Sequence, residues 1–261
     1  MELRTLASGS SGNCILLSQG DAHLLIDAGI SCKRITDSLR ALGLSPTDLS
    51  GVLITHEHAD HIAGLATLLK HWSLPLYTSP GTAGQLCRRL AFIDELIYEM
   101  EPGEDYEVGP FGVSPFATSH DAAQSMGFSV EAEGRRAAVV TDLGYVSDEV
   151  LDGVLGAHLV VCEANHDVDW LLSGPYPYPL RARILGDRGH LSNEAGADLA
   201  RQCARRGART LILAHLSAEN NTPARALAVA QAALEAEGVT VGIDVDLSVA
   251  PRNQMSGGYS V

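Results

Sequence analysis

The sequence predicts a layered α/β domain whose mixed β-sheets are covered on their outer faces by helices. Three observations lead there. Short apolar runs separated by turn residues open the chain and fill its middle, strands alternate with helical periods elsewhere, and nothing repeats at a fixed period. The 261 residues are 46% hydrophobic, 19% charged and 5% aromatic, which suits a chain that buries a sizeable core and excludes a disordered, fibrous or membrane-embedded one. Residues 1–250 are expected to form one domain, and 251–261, with NQMSGGYSV, a mobile tail.

Leu3 to Ala7, Cys14 to Ser18 and His23 to Ile26 read as antiparallel strands, because the turn-rich segments SGSSGN and SQGD separate them. After Asp27-Ala28-Gly29 the period changes: Ile35, Leu39 and Leu42 set a helix over Cys32 to Leu42, stopped by Gly43. The strand Gly51 to Thr55 runs into THEHADHIAGLATLLKHW, helical from Ile62 onward. Leu76 to Thr78 is a strand and Thr82 to Leu90 a helix. Four strands follow at Tyr106 to Val108, Gly112 to Thr118, Met126 to Ala132 and Arg135 to Thr141. The last part holds a strand at Leu159 to Glu163, a helix at Ala195 to Arg206, a strand at Thr210 to Ala214, a helix at Pro223 to Glu237 and a final strand near Val239 to Leu247.

Charge and cysteine usage narrow the function classes. Eighteen Lys and Arg against 32 Asp and Glu leave a net charge of −14, which argues against a broad basic surface for wrapping duplex nucleic acid but leaves room for a local basic patch or a substrate held by metal. The five cysteines are odd in number and contain no CxxC pair, so neither a disulfide scaffold nor a zinc ribbon is expected. No signal-peptide pattern or 18-residue apolar run occurs, and the expectation is a cytoplasmic protein with no membrane partner.

The chemistry is concentrated in His56-Glu57-His58-Ala59-Asp60-His61, at the end of the apolar strand Val52-Leu53-Ile54. Three imidazoles and a carboxylate supply the donor set of zinc, iron or manganese. His56 and His58 suit one ion and Asp60 and His61 a second, spaced as in two-metal hydrolases. Three further donors follow apolar runs and should emerge at the same kind of sheet edge: His120 after PFATS, Asp142 after AAVVT and His215 after TLILA. Such a pair of ions makes hydroxide available near neutral pH, and Asp60 can orient it while ligating.

With Asp27 in LLIDAG, the HxHxDH motif, His120, Asp142 and His215 in that order, the chain resembles the metallo-β-lactamase superfamily. The resemblance implies an αββα four-layer sandwich with a two-metal site at one edge of its two sheets. It further implies His56, His58 and His120 on one metal, Asp60, His61 and His215 on the other, Asp142 bridging, and Asp27 supporting the loop by hydrogen bonds. Two divalent ions, Zn²⁺ or Mn²⁺, are the expected cofactors.

Antibiotic-degrading members commonly carry Cys where Asp142 stands, so a β-lactamase is not expected. SGSSGN at Ser8 to Asn13, EANHD at Glu163 to Asp167, GHLSN at Gly189 to Asn193 and AHLSAENN at Ala214 to Asn221 are similar to the YycJ/WalJ group of small bacterial members, described as 5′ to 3′ DNA exonucleases. Ribonuclease Z is also similar, and its GHS-type histidine is thought to protonate the leaving oxygen. That resemblance gives His190 the proton-donor role with Glu163 as its partner. Ser8, Ser10, Ser11 and Asn13 are suited to cradling a phosphate. Tyr176 and Arg181 belong to a segment in which aromatic and basic residues interleave, and with His166 they are candidate substrate contacts. A nucleic-acid substrate is expected, DNA before RNA. The alternative is a thioester or lactone hydrolase using the same metals. The β-CASP insertion of larger nucleases and the long exosite arm of many ribonuclease Z enzymes are both absent, and the second absence argues against transfer-RNA processing.

Overall fold

The computed structural model describes residues 1–261. Its first half builds one sheet. Strands β1 (Glu2–Ala7), β2 (Cys14–Gln19) and β3 (Ala22–Ile26) form the expected meander, and β4 (Leu49–Leu53), β5 (Leu76–Thr78) and β6 (Ile97–Glu99) extend it in parallel. Between them run α1 (Cys32–Ala41), α2 (Ala59–Ile62), α3 (Leu65–Trp72) and α4 (Pro80–Arg89). Helices α1 and α4 start where Ser31 and Ser79 cap an otherwise unpaired amide.

The second half repeats this plan. Strands β7 (Tyr106–Val108), β8 (Phe111–Ala117), β9 (Met126–Ala132) and β10 (Arg135–Val140) pair antiparallel, and β11 (Leu159–Glu163), β12 (Thr210–Ala214) and β13 (Asp246–Val249) add in parallel. Helices α5 (Asp148–Gly153), α6 (Val168–Ser173), α7 (Tyr178–Leu185), α8 (Asn193–Arg205) and α9 (Pro223–Ala236) complete it, and the short strand β14 (Tyr259–Ser260) returns to β1. Each sheet has seven strands.

The apolar residues sort into layers by strand periodicity. Leu17, Leu24, Ile26 and Leu53 of the first sheet pack face to face with Val113, Phe128, Val139, Val161 and Ile212 of the second. Their neighbours on the opposite faces, Leu16, Leu25 and Val52, pack under α1, α3 and α4 with Ile35, Leu39, Leu68 and Leu86. Val140, Cys162, Leu211 and Leu213 likewise pack against α5, α8 and α9. The result is the αββα sandwich. Truncating Phe128 to Ala in the middle layer would cost about 3–5 kcal/mol.

Three segments differ from the sequence reading for local reasons. The helix after the histidine motif starts at Ala59 and breaks before Leu65, because the Gly64 amide donates to Ala28 O at 2.8 Å and a Cβ there would lie 2.1 Å from Ile30 O. The last long strand begins only at Asp246; Thr240 to Val245 is instead a turn in which Gly242 N donates to Val245 O and Thr240 N to Asp244 Oδ2. Residues 251–261, expected to be mobile, lie along β1: Ser256 N donates to Thr5 O, Thr5 N to Ser256 Oγ and Val261 N to Met1 O. That segment covers backbone donors that an edge strand would otherwise expose.

No helix is long and apolar enough to cross a membrane.

Candidate metal centre

Six strands end at one edge of the sandwich, and the chemistry-bearing residues stand just past those ends. Asp27 follows β3, His56 to His61 follow β4, His120 follows β8, Asp142 follows β10, Glu163 closes β11 and His215 follows β12. The backbone there is shaped to turn side chains inward. Asp27, Asp142 and His215 take positive φ of 60°, 62° and 57°, conformations that non-glycine residues rarely adopt. Gly29 lets the Asp60 backbone pass, since a Cβ at that position would lie 1.7 Å from Asp60 O.

All seven candidate ligands converge. His56, His58 and His120 offer donor atoms within 4.8 Å of one another, and so do Asp60, His61 and His215; Asp142 forms a further set with His56 and His61. His58 Nδ1 lies 3.2 Å from His120 Nε2, and His215 Nε2 3.3 Å from Asp60 Oδ2. Asp142 reaches both groups, its Oδ2 3.3 Å from His61 Nε2 and its Oδ1 3.7 Å from His120 Nε2.

Hydrogen bonds behind these atoms decide which nitrogen faces inward. Asp27 Oδ2 accepts from His61 Nδ1 at 2.7 Å, and Asp27 Oδ1 accepts from the Thr55 amide at 2.9 Å. Thr55 Oγ1 lies 3.0 Å from His56 Nδ1, while Gly189 O accepts from His120 Nδ1. Glu163 Oε1 accepts from both His190 Nδ1, at 2.8 Å, and His215 Nδ1, at 2.9 Å, and its Oε2 accepts from the Leu143 and Leu191 amides. In His61, His120 and His215 one nitrogen is fixed this way and Nε2 is presented to the common centre.

Two atoms there are buried without a hydrogen-bond partner: His56 Nε2 and Asp142 Oδ2. Leaving such atoms unpaired is costly, and lone pairs facing one point from imidazole and carboxylate suit a divalent cation. The donor set therefore fits metal ions. In the ion-free chain protons take part of that role. Burial opposes a charge on His215, but Asp142, Asp60 and Glu163 outweigh it and hold its pKa at about 10. His61 is pushed well up in the same way by Asp142 and Asp27. Burial also opposes ionisation of Glu163, yet His190 and His215 hold its carboxyl at about 2. Burial, with the neighbouring imidazoles of His61 and His120, pushes His56 well below its usual range.

The proposed substrate contacts divide. Ser8 and Asn13 are buried and engaged with the centre: Ser8 Oγ accepts from the His215 amide at 3.0 Å, and Asn13 Nδ2 lies 3.1 Å from His61 Nε2. Ser10 and Ser11 are exposed. His166 is 1% exposed with both ring nitrogens unpartnered, so it lies beneath the surface rather than on it, and burial pushes its pKa down to about 4. Arg181 binds the Leu172 carbonyl inside the α6–α7 hairpin, and Tyr176 is half-buried.

Several contributors escape sequence reasoning. Thr55 bridges Asp27 and two histidines. Glu57, within the motif but outside the ligand set, anchors the His120 loop through the Ala123 amide and Thr82. Arg183 pairs with Asp121, whose Oδ1 lies 3.5 Å from His120 Nε2, and Arg188 donates to His120 O. Arg183 lies on α7 and reads as part of a solvated helix face, and Arg188 lies in the turn after that helix; only the fold brings them to the site.

Residues 23–216 match the beta-lactamase superfamily domain. The chain is 36% identical over 245 residues to exodeoxyribonuclease YycJ of Bacillus anthracis, covering 93% of this chain and 92% of that one. It is 40% identical over 221 residues to exodeoxyribonuclease WalJ of Streptococcus pneumoniae, covering 83% and 81%. The metallo-beta-lactamase fold protein YhfI from Bacillus subtilis superposes with a TM-score of 0.73 over 98% of both chains at 17% identity, a likeness of fold. The HxHxDH loop, the donors at the strand ends and the match across three quarters of the chain have one reading: this protein is a hydrolase of the metallo-β-lactamase superfamily.

Proposed function

We propose that the protein is a metal-dependent phosphodiesterase acting as a 5′ to 3′ DNA exonuclease with two divalent cations, Zn²⁺ or Mn²⁺. The observation that carries the reading is the Glu163–His190 pair set beside two three-donor clusters joined by Asp142. His56, His58 and His120 would hold one cation, Asp60, His61 and His215 the other, and Asp142 both. Bound there, the cations would acidify a water and neutralise charge on the attacked phosphoryl oxygens.

The protein's own groups do the rest. Water gives up a proton to solvent and adds its oxygen to phosphorus while the bond from phosphorus to the departing alkoxide breaks, and His190 regains from solvent the proton it delivers. Asp60, whose side chain is partly exposed, orients the attacking water. His190 donates to Glu163 through Nδ1, so Nε2 is the atom that delivers a proton to the leaving oxygen. Glu163 is fully buried and accepts four hydrogen bonds, which keeps it an anion and prevents it from turning away.

DNA is proposed before RNA as substrate because two relatives, 36% and 40% identical over most of the chain, are exodeoxyribonucleases, whereas a ribonuclease Z of similar coverage is 25% identical. The five cysteines are unpaired, the state that a reducing compartment such as the cytoplasm maintains.

Duplexes labelled at either the 5′ or the 3′ end test this. Metal-stripped protein re-supplied with Mn²⁺ or Zn²⁺ should shorten the strand progressively from its 5′ end, and His58→Ala should not. Absence of cleavage by folded, metal-loaded protein would overturn the proposal and turn attention to thioesters and lactones.

A further inference from the structure

We infer that Arg252, together with the Ser10–Ser11 turn, forms an oxyanion subsite that grips a phosphate of the substrate strand next to the one being cleaved. The inference rests on the phosphodiesterase reading above and extends it to a residue in the C-terminal segment.

The subsite starts from how the first loop is held. Ser8 N donates to Pro251 O, Ser8 Oγ accepts from His215 N, and Asn13 N donates to Asp60 O at 2.8 Å. The ends of the SGSSGN loop are thus pinned to two of the metal-ligating segments. Its tip is free. The Ser10 and Ser11 amides and hydroxyls make no hydrogen bond within the chain, and both residues are exposed. Two adjacent amides and two hydroxyls in a tight turn are donors that suit an anion.

Arg252 supplies the charge. Its stem lies on Gly9, where a Cβ would approach Arg252 Cγ to 3.0 Å, and its Nη2 donates to Ser217 O at 2.8 Å, two residues past His215. Nε is buried with no acceptor, and Nη1 has none within the chain. No carboxylate lies within 4.0 Å of this guanidinium, whereas half-buried Arg225 is paired with Asp167; half-buried Arg181 also lacks an acid but is turned onto the Leu172 carbonyl, away from the first loop. A half-buried arginine kept apart from acids, with part of its fork unused, is built to meet an oxyanion. Its place beside the loops of Asp60 and His215 puts that oxyanion on the substrate strand.

The shared chemistry is a phosphate of DNA, either the terminal 5′-phosphate or an internal diester. Fluorescence anisotropy of a 3′-labelled single-stranded oligonucleotide, read in EDTA so that no turnover occurs, tests it apart from catalysis. Arg252→Gln should weaken binding about tenfold and flatten the slope of log affinity against log salt by about 0.7, whereas Arg252→Lys should recover most of the affinity and slope. Weakening confined to the 5′-phosphorylated oligonucleotide identifies the terminal phosphate, and equal weakening of the 5′-hydroxyl oligonucleotide identifies an internal one. Ser11→Asp, at an exposed position, places an anion in the same turn and should also weaken binding about tenfold, which keeps the test open if Arg252→Gln does not fold. Unchanged affinity and salt slope in folded Arg252→Gln, or unchanged affinity in Ser11→Asp, overturns the subsite. Loss of binding in these variants of a protein that cleaves no DNA with Mn²⁺ or Zn²⁺ would retain the subsite and refute the nuclease.

Discussion

Removing the cations should reverse the pH dependence of this protein's stability. In the ion-free chain His215 is buried among Asp142, Asp60 and Glu163, and its pKa stands at about 10 against an ordinary 6.5. A group raised in the folded state contributes stability that is complete below its unfolded pKa and is lost as pH rises through the folded one. Between those limits the folded chain holds one proton more than the unfolded chain for this group alone. One proton corresponds to a slope of about −1.4 kcal/mol per pH unit. His61, pushed up by Asp142 and Asp27 against the cost of burial, acts with the same sign. From about pH 6.5 to 8.5 the metal-free protein should therefore lose at least about 2 kcal/mol. The buried thiols Cys14 and Cys162 are also pushed upward, Cys14 by burial and Cys162 by its contact with Cys203 and burial, so they act with the same sign and mainly above that window. Bound cations invert the sign, because the ligands must shed these protons and affinity then grows with pH. Urea unfolding across that window, in EDTA and in Zn²⁺, gives both slopes. A metal-free protein whose stability is flat or rises with pH would refute the assignment of His61 and His215 as proton holders at a metal site.

His190→Ala should lower kcat by about 10²- to 10⁴-fold while elemental analysis finds the same metal content as in the parent, since no cation depends on it in the proposed arrangement. Glu163→Gln cannot satisfy two imidazole donors and two amide donors at once; it should destabilise the protein by about 3 kcal/mol in denaturant unfolding and slow turnover as well. Gly29→Ala drives a methyl group into Asp60 O and should cost more than about 3 kcal/mol by thermal unfolding, with cation binding weakened because Asp60 and His61 move together.

The sandwich was legible because its strands are short apolar runs with turn residues between them, and because the helices that cover it carry apolar stripes. Eleven of the strands fall where those runs predict them, from β1 through β5 and β7 through β12. What escaped is informative about the signal. β6 is three residues with a single half-buried apolar side chain, Ile97, so it has no period to read; α5 and α6 are six residues each, too short to show a helical stripe. The convergence of the seven candidate ligands was legible for a different reason: a donor placed directly after an apolar strand must emerge at a sheet edge. Thr55, Glu57 and Arg188 carry no such mark. Their roles come from contacts between segments far apart in sequence, such as Arg188 on the His120 carbonyl, and no local pattern encodes them.

The left-handed residues show how the fold maintains this edge. A non-glycine residue at positive φ costs about 1 kcal/mol or more and persists only where its surroundings over-determine it. Three of the four such residues lie at the centre: Asp27, Asp142 and His215; the fourth, Glu133, is in a hairpin turn. Each of the three is held on several sides. Asp27 N donates to Leu53 O while its carboxylate receives Thr55 and His61. His215 donates its amide to Ser8 and accepts from Asn165 Nδ2 through its carbonyl. Asp142 is followed by Leu143, whose amide donates to Glu163, and by Gly144, whose amide donates to Ser119 O. The strained turns therefore stop the strands and aim three side chains across the gap between the sheets; Ser8 holds one of them by its backbone amide, and Thr55 and Glu163 hold both turn segments and imidazoles. Backbone strain and side-chain orientation are consequently one network, so replacing Thr55 or Glu163 should loosen both together.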